Sequence, residues 1–384
     1  MRPAAAVLVC GLLAVGLAFG AVAVASSDGT TDRMDMLEPA DEPPSSVAYG
    51  VGGDLGLAVA ATDDTLRVDH DYRTFLQELQ SASADNRTEL VEAYFDARED
   101  EIGALLATER SAAAGLANGS AIADDLAITV TRIGAVAAAR QDTLDHLASL
   151  DGSVSGIDLR SAALDAKHRY GLVVSPVRDR MLAGAIDPDR RTTVALEVTS
   201  SSLVMTVIDG ERFHREAIGY DLLGTDEVNH VGLADAEAIA AEQYPSTTAT
   251  TAARDLGAGL YTVERSMSDG SVTAFVSGAT EAVVAERQYR WLDQVSVTEA
   301  GSHEAFDVTV TVERSHEGGP LRVSVVDSAT GDPVEGTAYL RHDGTWTALG
   351  DVDDAGQVWS ADPGGSIDIR VVTDEGTITV SSIR

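Results

Sequence analysis

A multidomain α+β chain is what these 384 residues predict: an N-terminal helical bundle or hairpin, a mixed α+β middle and a C-terminal β-sandwich. Three changes in periodicity carry that reading. Apolar residues recur at helical spacing through the first half. The period then shortens to two at about Arg191. The last eighty or so residues break into seven short alternating runs separated by Gly, Asp and Pro turns.

The helical half opens with a leader. Residues 1–25 carry Arg2 and then the uncharged apolar run Ala4–Ala25, ending in Ala23-Val24-Ala25. That is the layout of a secretory signal peptide with a small-residue cleavage site. Twenty-two residues also make about 33 Å of helix, enough to cross a bilayer, so an uncleaved N-terminal membrane anchor stands beside cleavage. Arg2 on the cytoplasmic side places the chain beyond Ser26 outside the cell in either case. Residues 26–56, rich in Asp, Glu, Ser, Thr and Pro, read as a disordered acidic linker.

Residues 57–190 read as helical. Leu90, Val91, Tyr94, Phe95, Ile102, Leu105 and Leu106 follow helical spacing, with Asn86 as the expected N-cap, and "GLANGS" marks the end. Ile122, Leu126, Val130, Ile133, Val136, Leu144 and Leu147 form a second apolar face. Asp158 to about Tyr170 and a short helix from Pro176, with Ser175 as N-cap, complete the region. These apolar faces are read as core, since no Glu-x-x-His pair occurs in the helical region to hold a di-metal centre.

In residues 191–300 the run from Thr192 reads strand, Asp209-Gly210 turn, strand. A short Ala-rich helix closed by Pro245 comes next, then strands at about 247–254, 259–267, 271–276 and 281–286. Ala236-Glu237-Ala238-Ile239-Ala240 followed by "GLYTVERSMSDGSVTAFVSGATEAVVAER" resembles the PepSY domain, a small α+β module of exported proteins. That resemblance implies peptidase inhibition or regulation at a protein surface.

Residues 301–384 contain a strand ending at Asp327, then Thr330-Gly331 and Pro333-Val334, the acidic turn Asp353-Asp354-Ala355-Gly356 and a Pro363-Gly364 turn. They resemble the carboxypeptidase-regulatory or transthyretin-like Ig sandwich. Val323, Val325, Val334, Tyr339, Trp346, Val358, Ile367, Ile369, Val371, Ile378 and Val380 are the predicted core.

Charge narrows the setting. Sixty-two acidic residues face 27 basic ones, a formal net charge of −35, and the only lysine is Lys167. Such self-repulsion is tolerable where molar salt shortens the Debye length to about 3 Å, so the chain reads as halophilic. In layout it resembles uncharacterised haloarchaeal exported proteins. The same charge disfavours nucleic acid, for no basic stripe exists to meet phosphates. Cys10, the one cysteine, lies in the leader, which leaves the body without disulfides or thiolate metal sites.

Catalytic motifs are missing from the sequence. His303-Glu304 and His316-Glu317 lack the second histidine of a zinc helix, and "GSVSG" at 152–156 carries Val154 where a nucleophile elbow needs serine. The expectation is a non-enzyme without a cofactor. Asp351, Asp353 and Asp354 are weak candidates for a hard cation such as Ca²⁺, against the plainer reading of an acidic turn. Asn86-Arg87-Thr88 and Asn118-Gly119-Ser120 are N-glycosylation sequons.

The expected role is a secreted or membrane-anchored cell-surface protein with an interaction or peptidase-regulatory function. Its partner would be a protein, a secreted peptidase or an envelope component, and it would meet the membrane only through its N-terminal segment. A structural or adhesive envelope component is the alternative, and an exported enzyme without a recognisable motif the second alternative.

Overall fold

The computed structural model describes residues 36–37, 44–150, 153–154, 157–190, 192–223, 229–257 and 259–383. The signal peptide or anchor expected at residues 1–25 lies outside them, as does most of the linker. Within the described residues no helix is long and apolar enough to cross a membrane.

The elements in chain order are β1 (Ser45–Val51), α1 (Leu55–Ser81), α2 (Ala84–Ala117), α3 (Ala123–Ser149), β2 (Ser153–Val154), β3 (Ile157–Asp158), α4 (Leu159–Tyr170) and α5 (Pro176–Ile186). Next come β4 (Thr192–Val198), β5 (Ser202–Asp209), β6 (Arg212–Gly219), α6 (Leu233–Gln243), β7 (Ala249–Asp255), β8 (Leu260–Ser266), β9 (Gly270–Ser277) and β10 (Ala282–Trp291). The chain ends with β11 (Thr298–Ala305), β12 (Val308–Arg314), β13 (Pro320–Asp327), β14 (Thr337–His342), β15 (Thr345–Asp351), β16 (Gln357–Ala361), β17 (Ile367–Val372) and β18 (Thr377–Ile383).

The caps explain the helix starts. Ser175 accepts from the Arg178 amide with Pro176 at the first helical position, and Asp158 accepts from the amides of Arg160 and Ser161. In α2 the cap is Ser83, not Asn86. The helix therefore begins earlier than predicted, and Asn86 sits exposed in its first turn, donating its amide to Ser83.

Eight antiparallel strands form the central sheet in the order β1-β4-β5-β6-β10-β9-β8-β7. Two meanders, β4-β5-β6 and β7-β8-β9-β10, meet where β6 pairs with β10. The single strand expected before Asp209-Gly210 is two strands, because the chain turns back at Thr199–Ser201. The linker also needs correction. Ser45–Val51 is an edge strand paired along its length with β4, and the Asp54 side chain caps α1. The acidic, Pro-containing stretch before Ser45 masks a seven-residue strand whose partner lies far along the chain.

The two faces of the sheet are covered differently. On the inner face α2, α3 and α5 bury Val194, Leu196, Val198, Leu203, Met205, Val207 and Ile218 in one apolar core. On the outer face α6 covers the β8–β10 half through Ala236, Ala240 and Tyr244. The sandwich covers the β4–β6 half, bringing Ala361 and Trp359 against Ala195 and Phe213.

That C-terminal sandwich has two four-stranded sheets, β11-β12-β13-β16 and β15-β14-β17-β18. It holds one strand more than the seven predicted, since β11 begins at Thr298. Val323, Val325, Ile367, Ile369, Val371, Ile378 and Val380 enter its core as predicted, with Val334 and Val358 at the margin. Tyr339 and Trp346 do not. The register of β14 sends Ala338 and Leu340 inward, so Tyr339 between them points outward, across from Arg370.

Candidate functional site: the faces and seams of the sheet

Charged side chains lie buried where the layers meet. On the inner face Arg178, fully buried on α5, joins Glu109 of α2 to Glu216 of β6. Its Nη2 donates to Glu109 Oε1 at 3.0 Å and to Glu216 Oε1 at 2.7 Å. Tyr220 adds an O–H bond to Glu109 Oε1 at 3.0 Å. Burial first, and then Glu109, push the Tyr220 phenol well above its usual range. Gly134 of α3 lies against the Arg178 stem, and a Cβ there would meet Arg178 Cβ at 2.8 Å. α3 can pass over the cluster only with glycine at that point.

Tyr220 is also one wall of a cleft of about 420 Å³ that opens where the helical layer stops short of β8. Ile102, Leu106, Leu172 and Leu260 give it an apolar floor, and Arg110 and Arg169 stand at its rim. Both arginines are engaged, Arg110 with Asp221 and Arg169 with Glu99 at 2.9 Å.

The outer face carries a second set. Arg215 of β6 pairs with Glu286 of β10, both buried, and Tyr244 of α6 donates to Glu286 Oε2 at 2.6 Å. Toward the sandwich, Glu197 of β4 lies near Glu317 and Asp362, and Arg314 pairs with Asp362. Burial pushes the Glu197 carboxyl up to about 7 although Arg215 opposes the shift, and pushes Asp362 up to about 6. Burial lowers the His316 imidazole to about 4. A carboxyl half-protonated near neutrality at a layer junction couples the packing of that junction to pH.

A third feature lies on the free surface of the sandwich. Arg370 of β17 stands 4.8 Å from the Tyr339 ring centre and 4.3 Å from that of Trp346. Arg341 stands 5.1 Å from Trp346 and is paired with Asp368. Cation and ring alternate across three strands, β15, β14 and β17. Each of the chain's three tryptophans has such a partner, Trp291 with Arg212 and Trp359 with Arg322 being the others.

The sequence candidates fall elsewhere. Asp351 accepts from Thr337 at 2.7 Å, and Asp353 accepts from the amides of Ala355 and Gln357 in its own turn. Asp354 is exposed. These carboxylates do not converge, and among the described residues no group of three or more His, Cys, Asp or Glu side chains is placed to hold a metal ion. Asn86 and Asn118 are both exposed, the second at the C-terminal cap of α2, where its Oδ1 accepts from the Ser120 amide at 2.9 Å. The buried pairs are out of reach of sequence reading. Glu109 and Arg178 are 69 positions apart, and no local pattern couples them.

Three families match the chain in succession. Residues 1–190 are similar to a domain of unknown function (DUF7096), and residues 194–296 to a family of unknown function (DUF7094). Residues 295–380 are similar to the archaeal fibronectin-III type-like domain. The C-terminal region is thus an archaeal Ig/fibronectin-III-like sandwich on a mixed helix-and-sheet body. No curated protein matches the chain.

Proposed function

We propose that this is an exported, halophilic archaeal surface protein that works by binding another protein, either as an interaction module or as a regulator of a peptidase. The observation that carries the reading is the row Tyr339–Arg370–Trp346–Arg341 on the open face of the sandwich. Amphipathic rings and arginines are the side chains that dominate binding energy at protein interfaces. On a chain of net charge −35 this row is a local exception. Arg341 is already paired with Asp368, so it is Arg370, held against two rings, that offers a planar cation to a partner that is itself acidic, the usual condition among halophilic proteins.

Export rests on the leader sequence, and halophily on the acidic excess with its single lysine. The finer likeness of the middle to PepSY is supported by α6 lying across the antiparallel meander β7-β8-β9-β10. A transthyretin-like reading of the sandwich rests on Thr330-Gly331, Pro333-Val334 and the turns at Asp353–Gly356 and Pro363-Gly364.

Cross-linking on intact cells in native salt, with the wild-type chain and with Trp346→Ala/Arg370→Ala, tests the proposal. A discrete protein cross-linked to the wild type and lost in the variant is the expected result. An identical cross-link pattern in both, or a chain that cell-surface labelling does not reach, would refute it.

A further inference from the structure

The seam on the outer face, between α6 and the sandwich, is filled by two residues from far upstream, Met36 and Leu37. Their backbone is held at three points. The Leu37 amide donates to Glu286 Oε2 at 2.8 Å, the Leu37 carbonyl accepts from Arg215 Nη2 at 2.9 Å, and the Met36 carbonyl accepts from Gln243 Nε2 at 3.0 Å. Their side chains part to the two sides of the seam. Leu37 packs with the cluster of Ala236, Ala240 and Tyr244 under α6, and Met36 with the cluster of Phe213, Leu292 and Ala361 toward the sandwich.

The groups that read the backbone are preorganised. Glu286 and Arg215 are a buried pair, and Tyr244 and Gln288 donate to the Glu286 carboxylate as well. A buried ion pair is a poor stabiliser compared with apolar packing, because desolvation offsets most of its attraction. Here it presents one acceptor and one donor to the two hydrogen-bonding groups of a single residue. Main-chain bonds supply affinity and flanking pockets supply selectivity in other modes of peptide recognition.

We infer that this seam is a peptide-binding site for a short extended segment with two successive apolar residues, and that its resident ligand is the chain's own Met36–Leu37. The site is separable from its ligand: a free peptide of the same sequence binds once the resident side chains are removed. The inference is independent of the sandwich face proposed as the partner surface, since the two surfaces share no residue.

The test uses the full chain in molar salt and a fluorescent peptide of residues 34–39, Met-Asp-Met-Leu-Glu-Pro, followed by anisotropy. Wild type and Met36→Ser/Leu37→Ser are compared, with far-UV circular dichroism as the check on folding. The expected result is saturable binding to the double variant and at least about tenfold weaker binding to the wild type, whose site is occupied. Adding Gln243→Ala to the double variant removes one backbone bond and no apolar contact, and should weaken the peptide by about three- to tenfold. Adsorption to apolar surface bared by the variant would be insensitive to Gln243. Absence of saturable binding to a folded double variant, equal binding to the wild type, or indifference to Gln243→Ala overturns the inference. If the double variant does not fold, Leu37→Ser alone replaces it, with the same expected order of affinities.

Discussion

The inner and outer faces of the eight-stranded sheet solve the same covering problem in different ways. The β4–β6 half of the inner face lies under a continuous helical layer and places a buried charge cluster, Arg178 with Glu109 and Glu216, amid aliphatic side chains. The outer face is covered by two separate bodies, α6 and the sandwich, and its charges gather along the junctions that such a divided cover leaves. A continuous cover buries apolar area at roughly 25 cal/mol per Å² and has little need of directional contacts. A divided cover leaves a seam in which backbone and polar groups must find partners, and Arg215, Glu286, Glu197 and Asp362 are the residues found there.

The largest effect should come from the inner face. Arg178→Ala leaves two buried carboxylates facing each other, and breaking such a cluster costs about 3–5 kcal/mol. Equilibrium denaturation in molar salt should show a matching loss. Replacing the three partners together, Arg178→Met with Glu109→Leu and Glu216→Leu, should recover most of it. If the triple variant is as unstable as the single one, the cluster specifies the packing of α2 and α5 rather than merely tolerating it.

A smaller effect, with a definite sign, belongs to the outer face. The Glu197 carboxyl is raised from 4.5 to about 7, so the folded protein holds this proton more tightly than the unfolded chain. The resulting stability is present at low pH and is lost as pH rises through 7. His316, lowered from 6.5 to about 4, acts in the opposite sense, but only below 6.5. Between pH 6.5 and 8 the wild type should therefore lose up to about 1 kcal/mol that Glu197→Gln does not lose. Parallel pH profiles for the two chains would mean that Glu197 is solvated at the junction.

The smallest effect concerns the open face of the sandwich. Arg370→Ala removes two half-buried cation–π contacts and should cost about 0.5–1 kcal/mol in thermal unfolding of the full chain. A larger loss would place that row in structure rather than in binding.

Local physics is what the sequence makes legible. Ser175-Pro176 and Asp158 mark their helices because a cap acts over three residues. Strict alternation from Ile367 to Val371 places the core face of β17. In β14 the same alternation reads one residue out of phase, because Tyr339 is large and apolar enough to look like core while its neighbour Ala338 is not. β1 leaves no local signal, since its ladder is completed by residues almost 150 positions later. The charge clusters are invisible for the same reason: an arginine with an acid beside it in sequence, as Arg178 has Asp179, says nothing about which acids share its burial.

The low-complexity look of residues 26–56 hides the point on which the difference between the two faces turns. Leu37 should be held by the Arg215–Glu286 pair as firmly as the seam itself. Hydrogen exchange on the full chain in molar salt, followed by mass spectrometry of fragments spanning residues 33–40, measures this directly. The expected outcome is one slow amide in that segment in the wild type, released to the rate of a free peptide in Met36→Ser/Leu37→Ser. Free-peptide exchange of every amide from 33 to 40 in the wild type would contradict a seam closed by Met36 and Leu37.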